Sequence, residues 1–469
     1  MIALQLLRFA VNLGVTMLLA RLLTPEDFGI YGMALTVVGL LLLFRDGGVE
    51  SAMLHHGPLD ERELASLASL NALYGLALAG ICALLAPLLA AFFGEPRLEG
   101  AVLLLSVCFV GYGLDVQPGA ILLREHRFRT HAWVDFGSLV TGLLVALVLA
   151  VRGAGYWSLF GMEVTVCLAM LVGHWRAAGW HPRFGRDLAR TANFIRFGRD
   201  VSIIRALGHG ANQIDNLLVG LSLGPAALAF YSKAFKLINM PQEGINWPLT
   251  RLAIPTLSRL REQPAEYAAV FRRLNFLCAA LGLPWAAFFI VSAEPVVGVV
   301  YGDQWAASIP LLQLLGLMGL LNTVQLASNW VFVSTGTVGR QVKWEIGHFL
   351  FLGVAYLIGL QWGLMGVAVA ASIACALERI PALVYCFRGT PLRLADLGTV
   401  MWRPALATAV GVGAVLVLHA QIAGPANRLA MVAIDGVVLG AGYGLGWIAV
   451  PGWRNFLTRT LRAGPPVTD

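Results

Sequence analysis

About fourteen runs of largely apolar residues, each near twenty residues long, divide this chain. They cover 3–22, 29–52, 66–93, 100–122, 132–151, 155–175, 199–221, 226–250, 271–293, 306–333, 343–361, 363–387, 402–420 and 429–450. A helix needs about twenty such residues to cross the hydrocarbon of a bilayer, and lipid tolerates only structures that satisfy their backbone internally. The expected fold class is therefore an all-α polytopic membrane protein with about fourteen transmembrane helices. Composition agrees: 58% of the 469 residues are hydrophobic and 13% are charged, against about 25% charged in soluble domains.

The arginines orient the spans. Links after even-numbered spans carry Arg62; Arg124, Arg127 and Arg129; Arg176, Arg183, Arg186, Arg190 and Arg196; Arg259 and Arg261; Arg340; Arg388 and Arg393. The tail adds Arg454, Arg459 and Arg462, whereas odd links hold only Arg21, Arg97, Arg152 and Arg428. Positive charge collects in cytoplasmic loops, so the even links and both termini are expected to be cytoplasmic. The same bias accounts for the net charge of +7, and no nucleic-acid partner is expected. The longest basic link reads as a helix on the anionic inner leaflet. Cys82, Cys108, Cys167, Cys278, Cys375 and Cys386 all fall inside apolar runs, without metal spacing or a disulfide framework. No metal site and no cofactor are expected.

The chain also matches itself. At an offset of 200, Asn12 pairs with Asn212, Leu18 with Leu218, Pro25 with Pro225 and Tyr31 with Tyr231. At 208, Pro87 pairs with Pro295, Gly94 with Gly302, Gln117 with Gln325 and Gly155 with Gly363. A repeat of six spans keeps both copies in one orientation, related by a pseudo-two-fold axis along the membrane normal. The expected organisation is an N-terminal lobe of spans 1–6 (1–176), a basic linker helix (177–198) and a C-terminal lobe of spans 7–12 (199–388). Spans 13–14 (389–450) and a cytoplasmic tail (451–469) follow.

Polar residues concentrate in spans 1, 2, 7 and 8. On a helix at about 100° per residue, Lys236, Asn239, Glu243, Asn246 and Thr250 share one arc, with Lys233 at its edge. A charge at mid-membrane costs at least ~2.5–3.5 kcal/mol, so this stripe is expected to face a wet cavity. Span 2 carries Arg45, Asp46 and Glu50; span 1 carries Arg8 and Asn12; span 7 carries Arg205, Asn212, Asp215 and Asn216. Pro241, Gly244, Pro248 and the Gly47-Gly48 pair are expected to break or bend spans 8 and 2. The charge alternation sets Lys233 and Lys236 toward the outer half of the bilayer, and Arg8, Arg45 and Arg205 toward the inner half.

The segment LARLLTPEDFGIYGMALTVVGLLLLFRDGG resembles the opening of the Wzx-like polysaccharide transporters, whose pattern is L-A-R-x-L-x-P-x-D-F-G followed by a span ending in D-x-G. GAGYWSL (153–159), FIRFGRDVS (194–202), DNLLVGLSLGPAALAFYSKAFKL (215–237) and VVYGDQWAASIPLLQLL (299–315) are similar to the same family. Arg45 departs from it, standing where a small or apolar residue precedes the Asp46 motif, and the leader before span 1 is short. The resemblance implies the superfamily of multidrug, oligosaccharidyl-lipid and polysaccharide exporters. It implies a bacterial inner-membrane protein, monomeric, without catalytic residues, that flips undecaprenyl-diphosphate-linked oligosaccharides. Membrane lipids, a polysaccharide polymerase and a co-polymerase are its implied partners.

The side chains suit that substrate. Arg8, Arg45, Arg205, Lys233 and Lys236 offer cations to a diphosphate, Arg bidentately and Lys as a point charge. Asn12, Asn212, Asn216, Asn239 and Asn246 offer amides to a glycan. Asp46, Asp215 and Glu243 either balance the cations or carry a coupling ion from a proton or sodium gradient; the residues leave both roles open. A drug antiporter of the same superfamily would favour a cavity dominated by acids. A lipid II flippase would share the fourteen spans and the cations. A glycan polymerase, ligase or glycosyltransferase would need a large extramembrane loop or a D-x-D metal site, and neither is present.

Overall fold

The computed structural model describes residues 2–55, 60–179, 185, 191, 213–421 and 427–449. Among these the chain is helical and carries no strand. It divides into two compact units, Met1–Ala229 and Phe230–Asp469.

In the first unit α1 (Ile2–Leu22), α2 (Pro25–Leu42), α3 (Val49–His55), α4 (Glu61–Phe93), α5 (Arg97–Arg124), α6 (Phe128–Val151) and α7 (Trp157–Ala178) follow in order. Local chemistry sets their ends. Thr24 caps α2 reciprocally with Asp27 while Pro25 occupies the first turn, and Asp60 caps α4 with Glu63 in the same way; each arrangement satisfies two orphan N–H groups. Gly94 closes α4 in the left-handed region, as Gly179 closes α7, where a side chain would be strained. The Arg97 guanidinium at the start of α5 bridges Glu95 at 2.7 Å and Glu26 at 2.5 Å. That hydrogen bond holds the Glu95 carboxyl below its usual range.

The expected break in span 2 is present. α2 ends at Leu42, Gly47 (φ 52°) and Gly48 (φ 69°) turn the chain, and α3 restarts at Val49. The core of this unit is α5, packed on α4, α7 and α2. The approach is close: a Cβ on Gly113 would stand 2.5 Å from the Asn71 carbonyl oxygen, and one on Gly75 would stand 2.6 Å from that of Phe109. Small residues are how helices come together where lipid removes the hydrophobic drive.

Helix α8 (Ile214–Arg259) crosses from the first unit into the second, and Gly224 (φ 83°, ψ 179°) interrupts it immediately before Pro225. The expected boundary of spans 7 and 8 is thus a break within one element. No other backbone angle along it is non-helical, so the helix runs through Pro241, Gly244 and Pro248 without the break expected there. Neighbouring turns can re-satisfy the groups a proline frees.

The second unit continues with α9 (Pro264–Val291), α10 (Ala293–Val300), α11 (Ser308–Ser334), α12 (Val338–Gly359), α13 (Gly363–Phe387), α14 (Leu394–Gln421) and α15 (Arg428–Ala449). α9 packs on α11 and α14, α13 on α11 and α12, and α14 on α15. Gly411, Gly442 and Gly446 bring α14 and α15 into backbone contact. Two pairs of the internal repeat share a backbone role: Gly94 and Gly302, like Gly155 and Gly363, have positive φ.

Eleven helical segments among the described residues are long and apolar enough to cross a membrane, and one of them, 338–387, contains α12 and α13. Their outward faces expose Leu84 (74%), Val437 (71%) and Trp362 (69%). That is the inverse of a soluble surface and suits lipid. All six cysteines are free and buried, as expected for packing residues.

Candidate functional sites

The first unit gathers polar side chains around the α2–α3 turn. Asp46 is buried on that turn, and the Arg45 guanidinium lies 5.2 Å from the centre of the Tyr112 ring. Glu163 on α7 accepts a hydrogen bond from the Tyr31 hydroxyl of α2 at 2.5 Å. In the same unit, His174 of α7 is hydrogen bonded to Asp115 of α5 at 2.9 Å, and its ring lies 4.5 Å from that of His131 on α6. None of Glu163, His131, Asp135 and His174 was among the residues expected from sequence. Each is a lone polar residue within an apolar run, except that His131 and Asp135 stand four apart on one helix face.

The expected residues are dispersed. Arg8 is exposed on α1, where it acts on Asp135, and Asn12 accepts a hydrogen bond from Thr16 at 3.3 Å. Asp215 is buried and accepts a hydrogen bond from the Asn216 N–H, whose side chain in turn donates to Gln213. Those bonds are local to the start of α8. Arg205 and Asn212 lie outside the described residues, as do nearly all of the expected linker helix and the whole of the tail 451–469.

On α8 the stripe does not share one environment. Lys233 is buried, with its ammonium 5.6 Å from the Tyr301 ring centre and 5.9 Å from that of Trp305. Aromatic faces attract a cation electrostatically, by about 2 kcal/mol or more when it is desolvated. Lys236 is exposed and Asn239 half-buried. Glu243 is on the helix, but its side chain is outside the described part. Thr250 accepts a hydrogen bond from the Trp330 indole at 2.9 Å.

Asn246 of the stripe lines a cavity. That cavity encloses about 240 Å³ and is lined from α8, α11, α12 and α13 by Asn246, Asn322, Ser328, Asn329, Phe332, Gln341, Trp344, Glu345, Glu378, Arg379 and Ala382. Internal bonds hold its wall. Gln341 donates to Asn329 at 3.0 Å, Arg379 donates to Asn322 at 3.2 Å, and Glu378 pairs with His348 at 2.5 Å. Trp344 stacks on Tyr385, which the Arg340 guanidinium covers at 4.9 Å. The Nε of Arg379 is buried and has no partner among the described residues. Amides, carboxylates, a guanidinium and an indole around one small space suit a neutral or weakly charged polyhydroxyl ligand. Hydroxyls both donate and accept, and a sugar ring has an apolar face for an aromatic.

Residues 18–310, well over half of the chain, match the model of the family described as "Polysaccharide biosynthesis protein". The chain belongs to that family. It is 23% identical over 336 residues to the teichuronic acid biosynthesis protein TuaB of Bacillus subtilis, covering 68% of this chain and 66% of the relative. The lipopolysaccharide biosynthesis protein WzxC of Escherichia coli is 22% identical over 74% of this chain and 72% of its own. Among solved structures, the lipid II flippase MurJ in an inward closed conformation aligns with a TM-score of 0.73 over 98% of this chain and 99% of that one. At 13% identity that likeness shows the fold alone. This member of the polysaccharide biosynthesis family is therefore a polytopic helical membrane protein of the Wzx-like kind. All the cavity residues except Asn246 lie beyond residue 310, so the family match does not itself account for them.

Proposed function

We propose that this protein flips undecaprenyl-diphosphate-linked oligosaccharide repeat units across the bacterial inner membrane by alternating access, feeding capsule, exopolysaccharide or O-antigen assembly. The observation that carries this reading is the polar cavity inside helices long and apolar enough to span a bilayer. Groups so costly to hold in lipid imply a hydrophilic ligand. The glycan would use the amides, carboxylates and Trp344 of that cavity. The diphosphate would draw on cations of each unit taken separately, Arg8 of α1 and Arg45 of the α2–α3 turn in the first, with Arg205, and Lys233 and Lys236 of α8 in the second. In this reading both termini are cytoplasmic, a proton or sodium gradient drives the cycle, and the protein is a transporter without catalytic residues.

The test is reconstituted flipping of a defined lipid-linked oligosaccharide in proteoliposomes, paired with depletion in cells. Depletion should trap finished lipid-linked repeat units in the inner leaflet; single repeat units exported but unjoined would instead mark a polymerase and refute the proposal. One observation favours a rival. Two carboxylates, Glu345 and Glu378, line the cavity beside a single arginine, as an exporter of organic cations would need. Uptake of a lipophilic cation by the same proteoliposomes, with no glycan flipping, would decide for it.

A further inference from the structure

The cluster at the junction of α5, α6 and α7 has a geometry that the transport reading does not use. His174 is 1% exposed, and its Nδ1 lies 2.9 Å from Asp115 Oδ1. An ionised carboxylate only accepts, so the hydrogen of that bond sits on Nδ1. The other ring nitrogen, Nε2, faces Asp135 Oδ1 at 3.7 Å, too far for a hydrogen bond. Both atoms are buried without a partner among the described residues. With that hydrogen on Nδ1, two buried atoms without a hydrogen-bond partner among the described residues face each other across a gap that either a proton on Nε2 or a metal ion would fill. A third ligand is at hand, since His131 Nδ1 lies 3.4 Å from Asp135 Oδ2.

The geometry points to a transition-metal site, of the Zn²⁺ class, formed by His131, Asp135 and His174, with Asp115 holding the tautomer of His174. Ligand atoms from all three residues lie within 4.8 Å of one another. Tetrahedral zinc with bonds of about 2.0–2.2 Å sets its ligands about 3.4 Å apart; the 3.4 and 3.7 Å separations, which run to the two different oxygens of Asp135, are near that value, and a bound ion would draw the three ligand atoms in from their present spread of up to 4.8 Å. The donor set of two imidazoles and one carboxylate suits zinc and leaves a fourth position for water. A carboxylate behind a ligating histidine, here Asp115, is the usual outer partner of such sites. Glu50 from α3 and Arg8 from α1 also act on the cluster, the first favouring a cation and the second opposing one. A bound ion would staple α6 to α7 across the face that packs on α5.

The experiment uses the full chain purified in detergent, stripped with EDTA, exposed to Zn²⁺ and desalted. Metal per chain is then counted by mass spectrometry, with Co²⁺ absorption as the geometric probe. Wild type should retain one Zn²⁺ and show the intense visible bands of tetrahedral Co²⁺; His174→Gln and Asp135→Asn should retain none. His126→Gln, exposed and outside the cluster, should bind as wild type does. Should the ligand variants fail to fold, Asp115→Asn keeps all three ligands and should weaken Zn²⁺ by about 10–100-fold in chelator competition. A monodisperse wild type that retains no metal overturns the inference. So does binding that survives His174→Gln, which would place the ion elsewhere, or Zn²⁺ affinity unchanged in Asp115→Asn.

Discussion

Replacing Arg379 should weaken the ligand cavity without unfolding the protein. This side chain is 6% exposed, donates to Asn322 and to Cys375 Sγ (2.8 Å), and keeps a buried Nε–H without a partner among the described residues. A ligand oxygen that accepted from the Arg379 guanidinium, reaching Nε once the side chain shifts toward the cavity, would form a hydrogen bond to a charged group, which contributes about 1.5–3 kcal/mol. At 1.4 kcal/mol per tenfold, Arg379→Gln should raise the half-saturating substrate concentration by about 10- to 150-fold. Arg379→Lys should lose nearly as much, because an ammonium keeps the charge and loses the planar fork. The assay is the initial rate of flipping in proteoliposomes against substrate density, with the thermal midpoint in detergent as the folding control. Unchanged saturation in both variants at an unchanged midpoint would refute the reasoning and leave Arg379 a purely structural clamp on α11.

Substitutions at four further positions test the packing and electrostatics. Asp435, fully buried, accepts hydrogen bonds from Ser292 and from His419, each at 2.8 Å; Asp435→Ala orphans both and should cost about 2–4 kcal/mol, and Asp435→Asn clearly less, by thermal unfolding. Gly113→Ala drives a methyl into the α4 backbone and should cost about 1–3 kcal/mol, whereas Gly80→Ala, with open space around it, should be neutral or stabilising. Glu95→Gln removes a carboxylate whose affinity for protons Arg97 lowers in the folded state. Its contribution, under about 1 kcal/mol because the Arg97 partner is exposed to solvent, is therefore present above the ordinary carboxylate range near 4.3 and lost as pH falls below it. Wild type and variant should differ in midpoint at pH 7 and converge near pH 3; a difference that persists there counts against the ion pair.

Much of the fold was legible because its signals are local. The apolar runs mark the spans, Thr24-Pro25-Glu26-Asp27 writes a capped start, and Gly47-Gly48 and Gly224-Pro225 mark breaks. The prolines of α8 do not interrupt it, because a proline's cost depends on whether neighbours re-satisfy the backbone, which spacing alone does not encode. The cavity was hidden for a different reason. Asn322, Gln341, Glu345, Glu378 and Arg379 come from three helices, and each is a minor polar interruption in its own run. Only the packing of α11, α12 and α13 converts five dilute signals into one concentrated site. Conversely, the stripe on α8 was conspicuous in sequence, but tertiary contacts divide it: Lys233 among aromatic rings, Thr250 under Trp330, Asn246 in the cavity.

That division suggests how to separate structural from functional polarity in a chain of this kind. Three buried or half-buried carboxylates here are bonded from another helix: Glu163 by Tyr31, Glu378 by His348, Asp435 by His419. Such pairs fix one helix against another. Polar atoms left incomplete are the informative ones, since a buried unsatisfied group costs about 1–3 kcal/mol. Two of the places where they occur are the buried Nε of Arg379, a residue that lines the cavity, and the facing pair of His174 and Asp135, at the α5–α6–α7 junction. A cost retained at a site is most simply offset by something that binds there. On this argument the unfilled valences of the helices, more than their charges, mark where a hydrophilic cargo and a metal ion would each be held.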